Sequence, residues 1–155
     1  MKEEFLKFWE EAQAGKVFLR RRQDPSGKIY IFDEVRGQWV VQTPEEIIRQ
    51  LCIRCLREVF GVPPLYIAAE RGVARLRTDI IAFNRGLKPA LVVECKRMHA
   101  PLNIPVFLQA DRYVAAPSLS TVRFLWITNG IHHFFAQRVH SRWTSADMLP
   151  PWDEW

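Results

Sequence analysis

The stretch LRTDIIAFNRGLKPALVVECK, residues 76–96, reads as two strands joined by a turn centred near Gly86. Glu94 and Lys96 are two residues apart, so on a strand they point to one face while Cys95 points to the other. Positions 79 and 94 lie equally far from the midpoint between Gly86 and Leu87. A hairpin without a bulge therefore makes Asp79 and Glu94 direct cross-strand partners, with Cβ atoms roughly 4.5 to 5.5 Å apart. Two carboxylates that close repel, and a fold tolerates them when something positive sits between: here Lys96 or a divalent cation.

Hard oxygen ligands in small number, with room left for water and a phosphate, suit Mg²⁺ or Mn²⁺ better than zinc. Such an ion would polarise a phosphate and acidify a bound water, while Lys96 would orient or help deprotonate that water and offset developing charge. Taken alone, an E-x-K triplet is common by chance, and Asp79, Glu94 and Lys96 then read as surface residues joined by an ordinary cross-strand ion pair. The register match with Asp79 in an otherwise apolar hairpin singles it out.

Around the hairpin the pattern is regular. Upstream, TPEE at residues 43–46 supplies a helix start, with Thr43 as N-cap, Pro44 at the first helical position and Glu46 completing a capping box. An apolar stripe from Ile47 to Phe60 follows before Gly61 and the Pro63-Pro64 stop. LYIAAER at 65–71 precedes the hairpin as a strand; a helix over about 103–115 and strands at TVRFLWITN and HHFFAQ follow it. Further upstream, Phe5, Phe8, Trp9 and Ala12 predict a helix over 2–13, and residues 16–41, with turns at DPSG and RG, predict a small antiparallel meander. This order predicts an α/β (α+β) domain: a central mixed sheet with helices on both faces, which explains why LVVEC and FLWIT are apolar nearly throughout. The expected organisation is a single domain over 1–155: an N-terminal helix and meander (1–42), a core (43–137) and a C-terminal surface tail (138–155) whose Trp152 and Trp155 dock back.

With 155 residues, 48% hydrophobic and 25% charged, the chain has enough core to fold without disulfides or a structural metal. The acidic, amphipathic start does not read as a secretion signal and no run approaches the roughly 20 apolar residues of a membrane span, so the expected location is cytoplasmic. Cys52, Cys55 and Cys95 are an odd number, expected to be reduced, and Cys52 and Cys55 fall on the buried stripe of a helix, where thiols are inert. A net charge of +5 makes a polyanion partner plausible. Arg20-Arg21-Arg22 reads either as a phosphate-contacting edge or as a solvated charged strand.

The segments IFDEVRGQWVVQTPEEIIRQ, RTDIIAFN, LVVECK, LQADRY and FLWITNG occur in an order and spacing that resembles the small stand-alone relatives of the type I restriction enzyme R subunit N-terminal nuclease domain, of the PD-(D/E)XK superfamily, over roughly residues 29–135. The resemblance implies a restriction-endonuclease-like core and a catalytic site of Asp79, Glu94 and Lys96, with metal ligands Asp79, Glu94 and Cys95 and with Mg²⁺ or Mn²⁺ as cofactor. A helix-borne acid completes the site in many relatives; Glu46 is the choice here, with Glu70 its rival and the capping box its bland reading. The Q-x-x-x-Y element of this branch matches Gln109 and Tyr113, which i, i+4 spacing puts on one helical face. Arg75, Arg77, Lys88 and Arg97 lie near the hairpin and are the expected nucleic-acid backbone contacts because they would flank the ion, with Tyr113 of the helix as a further contact.

The implied function is Mg²⁺-dependent hydrolysis of phosphodiester bonds in DNA, with any sequence target supplied elsewhere, since no helix-turn-helix or zinc finger is recognisable. The alternative is a nucleic-acid-binding or assembly module that keeps the fold without useful turnover, or a chain whose aromatic tail docks a partner subunit. A homodimer or partner subunit is compatible with either.

Overall fold

Thr43 starts the longest helix as the capping pattern predicts: its Oγ1 accepts a 3.0 Å hydrogen bond from the Glu46 amide. The computed structural model describes residues 1–73 and 76–155, with all side chains except those at 71–73, 76, 110 and 113. In chain order the elements are α1 (Lys2–Gln13), β1 (Arg21–Gln23), β2 (Ile29–Asp33), β3 (Gln38–Val41), α2 (Pro44–Glu58), β4 (Ile67–Val73), β5 (Leu76–Phe83), β6 (Pro89–Cys95), α3 (Ile104–Val114), β7 (Phe124–Thr128), β8 (His133–Val139) and β9 (Arg142–Ala146).

The architecture is α+β. β1–β3 form a three-stranded antiparallel sheet, and β4–β9 form a six-stranded mixed sheet in sequential order. Within the larger sheet β6 and β7 run parallel while their neighbours are antiparallel. A parallel pair needs a crossover, and α3 supplies it. Alternation along the strands divides the core in two. Ile80, Val93, Cys95 and Trp126 pack with α1, α2 and the small sheet on one side. Ile81, Val92, Leu125 and Ile127 pack on the other side, with Val114, Val106 and Phe107 of α3. Being covered on both faces explains the unbroken apolar runs in β6 and β7.

The hairpin of β5 and β6 departs from the unbulged expectation, with a consequence for everything built on it. Next to the turn Phe83 pairs with Pro89, a register centred on Gly86. Continued unchanged, that register would set Asp79 against Val93 and turn the two carboxylates to opposite faces. A register shift between Ala82 and Phe83 intervenes, and beyond it Ala82 pairs with Leu91 and Ile80 with Val93. The pairing ends at Ile80 and Val93; extended by one position, the shifted register would set Asp79 against Glu94.

The C-terminal region is corrected. Residues 138–155 are not a surface tail: β8 continues to Val139 and β9 adds a sixth strand on its outer edge. Edge strand β9 carries no buried residue, so its sequence RWTSA lacks the apolar alternation that reveals strands. Leu149 is buried in the core, and Trp152 docks as expected, its Nε1 donating to the Phe83 carbonyl at 2.9 Å. Among the described residues no helix is long and apolar enough to cross a membrane.

Candidate active site

Glu94 lies near the end of β6 and is 2% exposed, although it is a carboxylate. Lys96, one step past the strand, donates from Nζ to Glu94 Oε1 at 2.8 Å and to Gln109 Oε1 of α3 at 3.3 Å. The two-residue spacing on β6 and the crossover helix thus bring Glu94, Lys96 and Gln109 together, as the sequence predicts. Asp79 is held on both oxygens: Oδ1 accepts from Arg49 Nη2 at 2.6 Å, and Oδ2 accepts from the Cys95 amide at 2.7 Å. The neighbouring Lys96 amide points to the Thr128 carbonyl on β7, so alternation turns the Cys95 N–H toward β5. There the ladder has stopped and the Asp79 carboxylate takes the place of a strand carbonyl.

The charges follow from this packing. Burial, then the nearby Asp79 charge, push the Glu94 carboxyl up to about 7, against the pull of its Lys96 hydrogen bond. Burial works to lower the Lys96 ammonium, but the Glu94 hydrogen bond and the surrounding carboxylates outweigh it and the net shift is upward. Lys96 is therefore a firmly protonated donor. Glu94 Oε2 is buried with no hydrogen-bond partner among the described residues, an unsatisfied acceptor at the centre of the group.

Behind the hairpin lies an arginine and carboxylate network that the sequence did not reveal. Arg49 of α2 is 5% exposed and reaches Glu46, Glu70 Oε1 at 3.2 Å and Glu45 at 3.6 Å as well as Asp79. Arg36, in the turn between β2 and β3, binds Asp33, Glu46 Oε1 at 3.0 Å and Glu70 Oε2 at 2.7 Å. Gln50 adds hydrogen bonds to Asp33 and Glu46. Glu46, Arg49 and Gln50 stand at i, i+3 and i+4, and this buried polar stripe beside the apolar one was the available signal.

Several expected site residues are placed differently. The Glu46 carboxylate is taken up by Arg36, Arg49 and Gln50, so it meets Asp79 only through Arg49. The Cys95 thiol is fully buried on the far face, 3.8 Å from Cys52 Sγ, and burial pushes it well up, so only its main-chain atoms face the carboxylates. Lys88 sits in the turn six residues before Glu94, about 20 Å along an extended strand, and does not flank the site. Arg77 precedes Asp79 by two residues, is exposed and pairs with Glu70 at 2.7 Å; Arg97 is exposed beside Lys96. Arg75 lies outside the described residues, as does the side chain of Tyr113.

Among the described residues no group of three or more His, Cys, Asp or Glu side chains is arranged to hold a metal ion. The protein offers two carboxylates instead, with the orphaned Glu94 oxygen foremost. That donor set fits Mg²⁺, which binds through one or two carboxylates and keeps waters or substrate phosphates in its other positions.

The family model described as Type I restriction enzyme R protein N terminus (HSDR_N) matches residues 44–150, from the first turn of α2 to just past β9. No curated protein and no solved structure matches the chain.

Proposed function

The chain belongs to the type I restriction enzyme R protein N-terminus family, and from that premise we propose that it is a metal-dependent nuclease that hydrolyses phosphodiester bonds of DNA. The observation that carries this reading is the buried Glu94 Oε2, unpartnered among the described residues, with Lys96 clamped between Glu94 and Gln109. A carboxylate oxygen kept out of water without a donor is costly, and a cation is a partner its chemistry suits.

Asp79 and Glu94 would hold Mg²⁺ or Mn²⁺, which when bound lowers the pKa of its water and polarises a phosphate oxygen. Lys96 has a distinct task. Its ammonium, which donates to Glu94 and Gln109, serves as a donor that orients the attacking water and offsets charge developing on the phosphate. Gln109 fixes the Lys96 ammonium through its Oε1. Arg49 and the Cys95 amide hold the Asp79 carboxylate in one orientation, the preorganisation that electrostatic catalysis requires. Arg77 and Arg97 are exposed beside these groups and suit backbone phosphates.

The test is incubation with supercoiled, linear and single-stranded DNA, and with RNA, in Mg²⁺ and in Mn²⁺, alongside a Lys96→Ala variant. Cutting of DNA by the wild type alone supports the reading. A wild type that binds divalent ions and nucleic acid but cuts neither DNA nor RNA favours the alternative of a binding or assembly module. One observation speaks for that alternative: both Asp79 oxygens already have protein donors.

A further inference from the structure

The outer face of the small sheet carries a run of alternating cations and rings. β1 pairs Arg22 with Tyr30, and β2 pairs Phe32 with Trp39, so Arg22, Tyr30, Phe32 and Trp39 share one face while Ile31 turns into the core. Arg20, just before β1, joins them. Its guanidinium lies 4.8 Å from the Phe32 ring and 5.2 Å from Trp39; that of Arg22 lies 4.7 Å from Trp39 and 5.4 Å from Tyr30. Lys28 ends the run, 5.9 Å from Tyr30.

Arg20, Arg22 and Lys28 are exposed, and among the described residues none is in an ion pair. Asp24 at the edge is engaged in its own turn, with Ser26 and with the Tyr30 hydroxyl. Three cations without counter-charges call for an anion, and the rings between them call for flat partners. A carboxylate-rich protein surface would satisfy only the first demand. Exposed bases linked by phosphates satisfy both, which a duplex with its bases stacked inside does not. Arg20 and Arg22 are about 6.8 Å apart along the strand, on the scale of neighbouring phosphates in an extended strand.

We propose that this face of the β1–β3 sheet is a binding platform for single-stranded nucleic acid, with Tyr30, Phe32 and Trp39 stacking bases and Arg20, Arg22 and Lys28 taking phosphates. The platform precedes the residues matched to the family. Its Phe32 end leads into the turn where Arg36 binds Glu46 and Glu70, members of the network that reaches Asp79 through Arg49. In that respect the proposal deepens the nuclease reading and gives it a substrate form, but binding itself does not require cleavage.

The experiment is fluorescence anisotropy of labelled dT15, U15 and a 15-base-pair duplex in EDTA, so that no cutting intervenes. It compares the wild type, Arg20→Gln with Arg22→Gln, and Trp39→Leu, each checked for folding by circular dichroism. The double variant should bind dT15 and U15 at least ~10-fold more weakly, with a salt slope shallower by about 1.4 for two lost phosphate contacts. Trp39→Leu should weaken binding while leaving the slope unchanged. The dT15 and U15 arms distinguish a DNA from an RNA ligand.

Equal affinity of wild type and double variant for single strands overturns the proposal, as does preference for the duplex. A wild type that binds through Arg20 and Arg22 yet cuts nothing removes the nuclease reading and leaves the platform. A wild type that cuts while the double variant binds unchanged does the reverse.

Discussion

Arg49 Nη2 lies 2.6 Å from Asp79 Oδ1, a buried ion pair between residues 30 apart in sequence that ties α2 to β5. Removing one partner leaves the other charge buried and uncompensated. Arg49→Met should therefore destabilise the fold by about 3–5 kcal/mol in urea unfolding. Adding Asp79→Asn should recover part of the loss, since the strand end then carries no orphaned charge. A single-variant loss below about 1 kcal/mol, the range of exposed pairs, would show that the pair is wetter than its burial implies.

Binding and reacting belong to different side chains. Asp79→Asn keeps an acceptor for the Cys95 amide but removes a ligand charge, so Mn²⁺ affinity in calorimetric titration should collapse. Lys96→Ala keeps both carboxylates and should bind Mn²⁺ at least as tightly as the wild type, while plasmid nicking falls by ~10² or more. Loss of Mn²⁺ binding in Lys96→Ala would contradict this division.

Gln109→Leu isolates the support given to Lys96. Losing the 3.3 Å contact frees the ammonium without touching a carboxylate, so nicking should slow by about tenfold with Mn²⁺ affinity unchanged. A variant that loses ion binding in step with rate would assign Gln109 to the metal instead.

The raised Glu94 carboxyl makes a pH prediction for the metal-free protein. Its pKa is about 7 in the folded chain against an ordinary 4.5, so between these values the folded state holds the extra proton. The stabilising contribution is full below about pH 4.5 and is lost as pH rises through about 7, by up to roughly 3 kcal/mol. Denaturation series from pH 4.5 to 8 should show this decline in the wild type and a flatter profile in Glu94→Gln. Parallel profiles would sink the assignment.

What the sequence made legible has a common character: it is local and periodic. Glu94 with Lys96 follows from the two-residue repeat of a strand, and Gln109 from its place on the crossover helix. Glu46, Arg49 and Gln50 share one face of α2, but what Arg49 and Arg36 hold together was not legible, because their partners Asp79 and Glu70 lie on other elements, up to 34 residues away, and an ion pair between elements imprints no period. Lys88 was misplaced for the opposite reason: nearness to the hairpin in sequence put it at the turn, while the carboxylates sit at the other end of the strands. β9 escaped because an exposed edge strand buries nothing that could alternate.

The irregularity between Ala82 and Phe83 behaves as a parity correction. The hairpin loop from Asn84 to Lys88 can be thought of as odd in length and the bulge as the single extra count that makes the sum even again. Lengthening or shortening this loop by one residue leaves a folded sheet intact only if the bulge moves or disappears with it; otherwise every side chain of β5 toward its start changes sides. Engineered variants of this chain are thus constrained jointly at two places, loop length and bulge, that lie away from Asp79 and Glu94.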